Sequence, residues 1–223
     1  MTDISRIVEA IVDKRESVPL HRSALIGVTG IDGSGKGYLT EKIVSQLRRQ
    51  GGKAFGINVD GWLNLPDKRF SRDDPARHFY EHAIRFDEMF RQLIMPLRDN
   101  RRCHIVADFA EETASEYRKH TYDFEDVDVI LLEGIYLLKR AYRSYFDLSF
   151  WVDCGFETAL ERALARRQEG LPREETIRAY ETIYFPAQRI HFAKDDPKAA
   201  ADIIINNDPR IASEASGKAS SVA

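Results

Sequence analysis

The sequence predicts an α/β domain with a mainly parallel sheet and helices on both faces. Three observations point there. Short apolar runs alternate with helical stretches, a glycine-rich segment joins the first such run to the helix after it, and several runs close on an acidic residue or a glycine. Strands that alternate with helices need crossover connections, which leave neighbouring strands parallel. Ligands of such sheets sit at the carboxyl ends of the strands.

The elements follow in chain order. Ile4, Ile7, Val8, Ile11 and Val12 recur at helical spacing, so residues 1–20 are expected to form an amphipathic helix packed on a domain spanning 21–208. "ALIGVT" is a strand leading into the glycine loop, after which Leu39, Ile43, Val44 and Leu47 mark one face of a helix ending near Gly51 and Gly52. "AFGINVD" is a second strand, closing on Asp60. In "SRDDP", Asp74 is placed to cap a helix with Pro75 at its first position, and Phe79, Ala83, Phe86 and Phe90 make its buried stripe. "CHIVADF", "DVILLEG", "LSFWVD" and "ADIIINN" read as further strands, the second of them buried on both faces and closed by Glu133 and Gly134. The small polar tail, 209–223, is expected to be disordered.

Composition narrows the function classes. A chain of 223 residues with 43% hydrophobic content fits one α/β domain with a substantial core, the first expectation, or two small ones. With 33 Lys and Arg against 36 Asp and Glu, no general field attracts nucleic acid or an anionic membrane, so an anion site must be local. Cys103 and Cys154 have neither disulfide nor metal spacing, the N-terminus lacks a basic start followed by an apolar run, and no segment approaches the roughly 20 apolar residues of a membrane helix. These features predict a soluble cytoplasmic protein that binds no nucleic acid and no membrane. Homo-oligomerisation is left open.

The glycine segment "GVTGIDGSGKGYLT" carries the chemistry. Gly30, Gly35 and Lys36 fit the phosphate-binding pattern G-x-x-x-x-G-K, with Asp32, Gly33 and Ser34 between them. Glycines turn successive backbone N–H groups toward one anion, the following helix adds its positive end, and Lys36 adds a point charge for the outer phosphates. Gly37 departs from the Ser or Thr that usually follows the lysine and ligates Mg²⁺. Either water or another side chain replaces that ligand, or the chain binds nucleotide without transferring phosphate. Thr40, almost a turn further on, is expected to cap or pack in the helix.

Asp60 and Glu133 end strands on the side of the loop. Asp60 reads either as a base for an acceptor hydroxyl or as a turn-forming residue before Gly61. Glu133 reads either as a ligand for a metal or its water or as a plain strand-end carboxylate. In "LERALARRQEGLPREE", Arg162 and Arg166 share a helical face with Arg173 beyond a turn, which suits either a solvated basic face or a lid over a transferring phosphate. His78 to His82, "HFYEH", matches a zinc-peptidase pattern literally, but Phe79, Ala83 and Phe86 explain that helix as core.

Together, "GIDGSGKG", "VDGW", "RDDP", "ILLEGI", "FDLSFWVD", the arginine helix and "ADIIINND" resemble the uridine kinase and phosphoribulokinase group of small-molecule kinases over most of the chain. The resemblance implies a P-loop NTPase three-layer sandwich with a five-stranded sheet and a helical lid at about 162–180. It implies ATP-dependent phosphorylation, with Mg²⁺, of a hydroxyl on a small metabolite such as uridine. Lys36 and the loop residues through Gly37 would then hold the ATP phosphates, joined by Arg173. Asp60 would be the base, Glu133 would serve the metal with Asp60 nearby, and Arg162 and Arg166 would be lid arginines. Asp108, Arg118 and Trp62 would line the acceptor pocket, with a core role for Trp62 equally open. "ADFAEETASEYRKHT" departs from the family's uridine-recognition stretch. Gly37 supports the alternative of a nucleotide-binding regulatory protein.

Overall fold

The computed structural model describes residues 3–167 and 170–210. The described residues form seven strands, most of them separated by helices. They are β1 (Ala24–Thr29), β2 (Ala54–Asn58), β3 (Cys103–Phe109), β4 (Arg118–Phe124), β5 (Val129–Gly134), β6 (Leu148–Asp153) and β7 (Ile203–Asn206). Five of these form one sheet in the order β2-β5-β1-β6-β7, with every pairing parallel.

The central strands are buried on both faces, and their alternate residues go to opposite layers. Ile26 and Val28 of β1 and Leu131 of β5 meet α1 (Ile4–Ser17) and α2 (Lys36–Arg49) through Ile7, Val8, Ile11, Ile43 and Leu47. Leu25, Ile130 and Leu132 face the other way, toward α4 (Pro75–His82) and α5 (Phe86–Met89). Each fully buried aliphatic side chain of this kind contributes about 1.5–3 kcal/mol. The layers are therefore helix, sheet, helix. A third cluster, around Trp151, Ala159 and Tyr180, joins α7 (Phe156–Arg166) and the turn that follows α8 (Arg173–Ala179) to the sheet.

Two sequence expectations are corrected. Cys103–Phe109 does not enter the parallel sheet. It forms an antiparallel hairpin with Arg118–Phe124, a strand not anticipated, in which Cys103 pairs with Phe124 and Phe109 with Arg118. The signal for that partner was the alternation of His120, Tyr122 and Phe124. The stripe from Phe79 to Phe90 is not one helix either, because the chain breaks at Ile84, which bridges Leu63. Asp74 does cap α4, its carboxylate accepting from the Arg77 N–H at 3.1 Å with Pro75 at the first position.

Two widened helical turns, Phe90–Ile94 and Tyr180–Tyr184, each run straight into a helix with proline in its first turn, α6 (Met95–Asn100) and α9 (Phe185–Asp195). Pro96 and Pro186 have no N–H to donate, and their rings crowd the carbonyl one turn back. A wider turn relieves both problems. The remaining short helices are α3 (Pro66–Arg69) and α10 (Pro197–Ala200). The expected tail falls mostly on 211–223, outside the described residues. Within the described part, Arg210 donates to Glu161 at 2.7 Å. No described helix is long and apolar enough to cross a membrane.

Candidate active site

Strand register gathers the site. Glu133 of β5 stands opposite Val28 of β1 on one side and Asn58 of β2 on the other, so the glycine loop after β1 and Asp60 just beyond β2 flank it. The loop then enters α2, whose first N–H groups have no acceptor within the helix. Gly33 and Gly35 adopt φ of 76° and 89°. A side chain there is excluded by space as well as strain, since a Cβ would lie 2.4 Å from the Ala159 carbonyl oxygen at Gly33 and 2.5 Å from Asn207 Nδ2 at Gly35.

The loop's carbonyl side is tied down. Arg162 donates through Nη1 to the Ser34 carbonyl at 3.0 Å and through Nη2 to the Asn207 carbonyl at 2.8 Å, while Asn207 Nδ2 donates to the same Ser34 carbonyl at 2.7 Å. This corrects the reading of Arg162 as a phosphate-facing lid arginine: its guanidinium holds the loop in shape. Arg166 is nearer that expectation, reaching Asp32 Oδ1 at 3.3 Å. Asp32 also accepts from the Tyr180 hydroxyl. Arg173 begins α8 and is exposed.

Charge is concentrated where the three segments meet. Lys36 is buried, with Nζ 3.9 Å from Glu133 Oε1. Burial pushes the Glu133 carboxyl up to about 7; Lys36 opposes the rise, and the charges of Asp60 and Asp32 add to it. Asp60 is likewise raised by burial, against the pull of Lys36. Asp32 goes the other way. Burial raises it, but Lys36, Arg166 and the Tyr180 hydroxyl together hold it below the usual carboxylate range. Asp60 and Asp32, both facing Lys36, are thus pushed in opposite directions.

Asp60 opens onto two cavities. A narrow one of about 50 Å³ is lined by Asp32, Lys36, Asp60, Arg69, Tyr136 and Gln188, among others. A wider one of about 550 Å³ lies between β2 and the hairpin, walled by Phe109, His120, Tyr122 and Phe124. Glu112 lines both.

The expected acceptor residues sit differently. Asp108 is tied to Lys119 at 2.7 Å, and Arg118 to Glu111 at 2.8 Å with its guanidinium over the Phe109 ring, and both ion pairs lie on the hairpin surface. Trp62 is a core residue: it is wholly buried, stacked on Tyr122 at 5.8 Å, because the tight turn Val59–Gly61 swings it inward. Sequence reasoning missed Arg69, Tyr136, Tyr180, Gln188 and Asn207. Only Asn207 carried a signal, as the residue following a strand.

The residues beside Lys36 offer a place for Mg²⁺. Gly37, Asn58 and Glu133 line one open recess of about 330 Å³, and a Cβ at Gly37 would stand 3.7 Å from Glu133 Oε2. The recess therefore has room for a hydrated cation beside a carboxylate, and the donor set fits. Thr40 Oγ1 is buried without a hydrogen-bond partner among the described residues and is packed in the helix. His78, the first histidine of the zinc-like pattern, hydrogen-bonds through Nε2 to the Lys68 carbonyl at 2.9 Å, and the described residues contain no cluster of three or more side chains suited to a metal.

Comparison with known proteins gives the following. The family model described as phosphoribulokinase / uridine kinase family matches residues 25–209. A uridine kinase of Macrococcus caseolyticus is 30% identical over 192 residues, covering 83% of this chain and 89% of its own. Among solved structures, a possible uridine kinase from Bacillus stearothermophilus superposes with a TM-score of 0.69 at 19% identity, covering 90% of this chain and 96% of its own. A candidate fructose transport system kinase from Silicibacter sp. does so with a TM-score of 0.71 at 16% identity, covering 92% and 99%. At these identities the structural likenesses establish the fold, a P-loop α/β sandwich.

Proposed function

We propose, from the premise that the chain belongs to the phosphoribulokinase / uridine kinase family, that it transfers the terminal phosphoryl group of ATP to a hydroxyl of a nucleoside such as uridine. The observation that carries this reading is the convergence of Lys36, Asp32 and Asp60 on one cavity beside Glu133. In phosphoryl transfer, positioning and charge stabilisation do most of the work. The loop's N–H groups and Lys36 bind the phosphates, and Arg166 lies close enough to follow them. Asp60 accepts the proton of the attacking hydroxyl, its raised pKa bringing it toward the working range of a base. Mg²⁺, held by Glu133 with water where Gly37 offers no hydroxyl, would neutralise charge on the phosphates. The aromatic walls of the wider cavity suit a flat base, and the relatives' names favour uridine. The buried, unpaired cysteines suit a reducing cytoplasm.

A second reading, nucleotide binding without turnover, is favoured by Gly37 alone. One experiment separates the two. Mg²⁺-dependent ATP consumption is measured against a panel of uridine, cytidine, other nucleosides, pantothenate, ribulose 5-phosphate and simple sugars, with the acceptor-free rate subtracted. Stimulation by one acceptor, lowered by about 10²–10⁴-fold in Asp60→Asn, is the expected result. Full activity in Asp60→Asn would remove that residue as the base, and ATP binding without stimulation anywhere would put the regulatory reading first.

A further inference from the structure

The proposed reaction leaves one half-buried lysine unused. Lys139 follows β5 and lines a third cavity, of about 640 Å³, between the C-terminal ends of α4 and α9 and the start of α5. No residue of this cavity lines the narrow or the wide one. Lys139 Nζ donates to the Tyr80 carbonyl at 2.5 Å and is otherwise faced by rings, with the centroids of Tyr80 at 4.1 Å, Tyr136 at 5.3 Å and Phe86 at 5.5 Å. The rings attract the ammonium, but one carbonyl is a poor exchange for the water that three N–H donors hold in solution. No carboxylate makes an ion pair with it among the described residues.

The charges around Lys139 are unevenly committed. Arg140 beside it and Lys194 of α9 line the same cavity, and neither side chain is ion-paired among the described residues. Lys194 Nζ stands 5.3 Å from the same Tyr80 ring. Most of the acids have donors already. Asp87 accepts from the Tyr142 hydroxyl at 2.7 Å, Glu88 from Arg85 at 2.8 Å, and Asp195 from the Tyr80 hydroxyl and the Arg140 N–H. Only Glu81 is left among them. Burial lowers the Lys139 pKa to about 8; Lys194 adds to the fall, and Asp195, Glu81 and Asp87 oppose it. About a tenth of such a lysine is neutral amine at pH 7, far more than of an ordinary one.

We propose that Lys139 is a modification site, a nucleophilic lysine acylated on Nζ by a small acyl phosphate that enters this cavity. The nitrogen lone pair attacks the acyl carbonyl carbon, and the bond from that carbon to the phosphate oxygen breaks. Phosphate leaves with the bonding pair, the nitrogen gives a proton to water, and an amide remains; nothing is oxidised or reduced. A desolvated lysine among apolar groups is an activated nucleophile. Arg140 and Lys194 favour an anionic reagent over a neutral one and stabilise the charge that builds on its leaving phosphate. The amide is uncharged, so acylation ends the ammonium's attraction to the three rings. Tyr80 is also packed edge-on against Tyr136 at 5.4 Å, which places the modification one ring away from the narrow cavity. The inference uses neither ATP nor acceptor and stands apart from the kinase reading.

The test incubates the full chain with acetyl phosphate between pH 6 and 10 and follows acetylation of each lysine by peptide mass spectrometry. At pH 7.5 Lys139 should react about tenfold or more faster than the exposed Lys42 and Lys68. Its rate should level off above a midpoint near pH 8. A double variant, Arg140→Ala with Lys194→Ala, changes two exposed side chains and keeps the Arg140 N–H on Asp195. It should slow Lys139 by about three- to tenfold and leave Lys42 unchanged. Acetylation of Lys139 no faster than that of Lys42 and Lys68, or a rate still climbing toward the ordinary lysine value near 10.4, would overturn the proposal. An equal rate in the double variant would overturn it too, since the cavity would then not select the anionic reagent.

Discussion

On the proposed reading, the donor and acceptor halves of the site are built in opposite ways. The donor half is one continuous segment, Gly30 to Gly37, whose function lies in its backbone and in a single lysine. The acceptor half is assembled from β2, α3, the hairpin, the turn after β5 and α9, with no two of its key side chains adjacent in the chain. The first is fixed by local chain geometry, with its carbonyl side tied by Arg162 and Asn207, and few substitutions leave it intact. The second is fixed by packing, so each contributor can vary separately. A family of P-loop kinases can therefore share one donor half and serve different acceptors.

The sharpest way to break this comparison is at Lys36. If the donor half works as a unit, Lys36→Ala should lower turnover by about 10³-fold while leaving calorimetric binding of the acceptor within about twofold, because Lys36 supplies charge stabilisation and not acceptor contacts. The measurements are single-turnover rates and acceptor titration. A large loss of acceptor affinity would show that the two halves are not separable.

The same contrast explains what was legible in the sequence. The loop, its flanking strand and helix, and the strand-end positions of Asp60 and Glu133 depend on short-range patterns, and these were readable. Six of the seven described strands were too, as short apolar runs, and the run is most continuous in β1, β5 and β6, which are buried on both faces. Arg118–Phe124 was missed because one face of the hairpin is wet and its charged residues masked the alternation. The break at Ile84 was missed because Phe79, Ala83, Phe86 and Phe90 keep helical spacing across it. Tyr136 at φ 62° and Gln188 behind a widened turn carry no local pattern, since their positions follow from tertiary packing. Arg162 was assigned to phosphate from its place on a basic helix, and only the structure shows its donors engaged by Ser34 and Asn207.

Gly37 gives a milder test inside the donor half. A Cβ there meets Glu133 Oε2 at 3.7 Å, ordinary van der Waals contact, so Gly37→Ser is sterically tolerated. Serine is also the better helix former, by a few tenths of a kcal/mol. We expect Mg²⁺-dependent turnover to change by no more than about threefold, since Mg²⁺ takes much of its coordination from water and phosphate oxygens. A gain of about a hundredfold would mean that the native metal site is impaired, moving the regulatory reading ahead. The check is the rate as a function of Mg²⁺ concentration.

A comparably small effect tests the packing behind the acceptor half. Asp195 is buried and accepts from the Tyr80 hydroxyl at 2.5 Å and the Arg140 N–H at 3.1 Å, with His191 Nδ1 at 2.8 Å. Burial raises its pKa, but these partners outweigh it and hold the carboxyl at about 2. Tyr80 and His191 are also the rings that clamp Tyr136. A depressed carboxyl pKa means that the unfolded chain takes up the proton more readily than the folded one. The stability it contributes is therefore complete above the unfolded value near 4 and is lost as pH falls through about 2. In Asp195→Asn that acid-side loss should flatten between about pH 4 and 2, as followed by denaturant melts, and acceptor affinity should fall by about two- to fivefold as the Tyr136 clamp loosens. If the slope flattens while affinity holds, the clamp supports the fold alone.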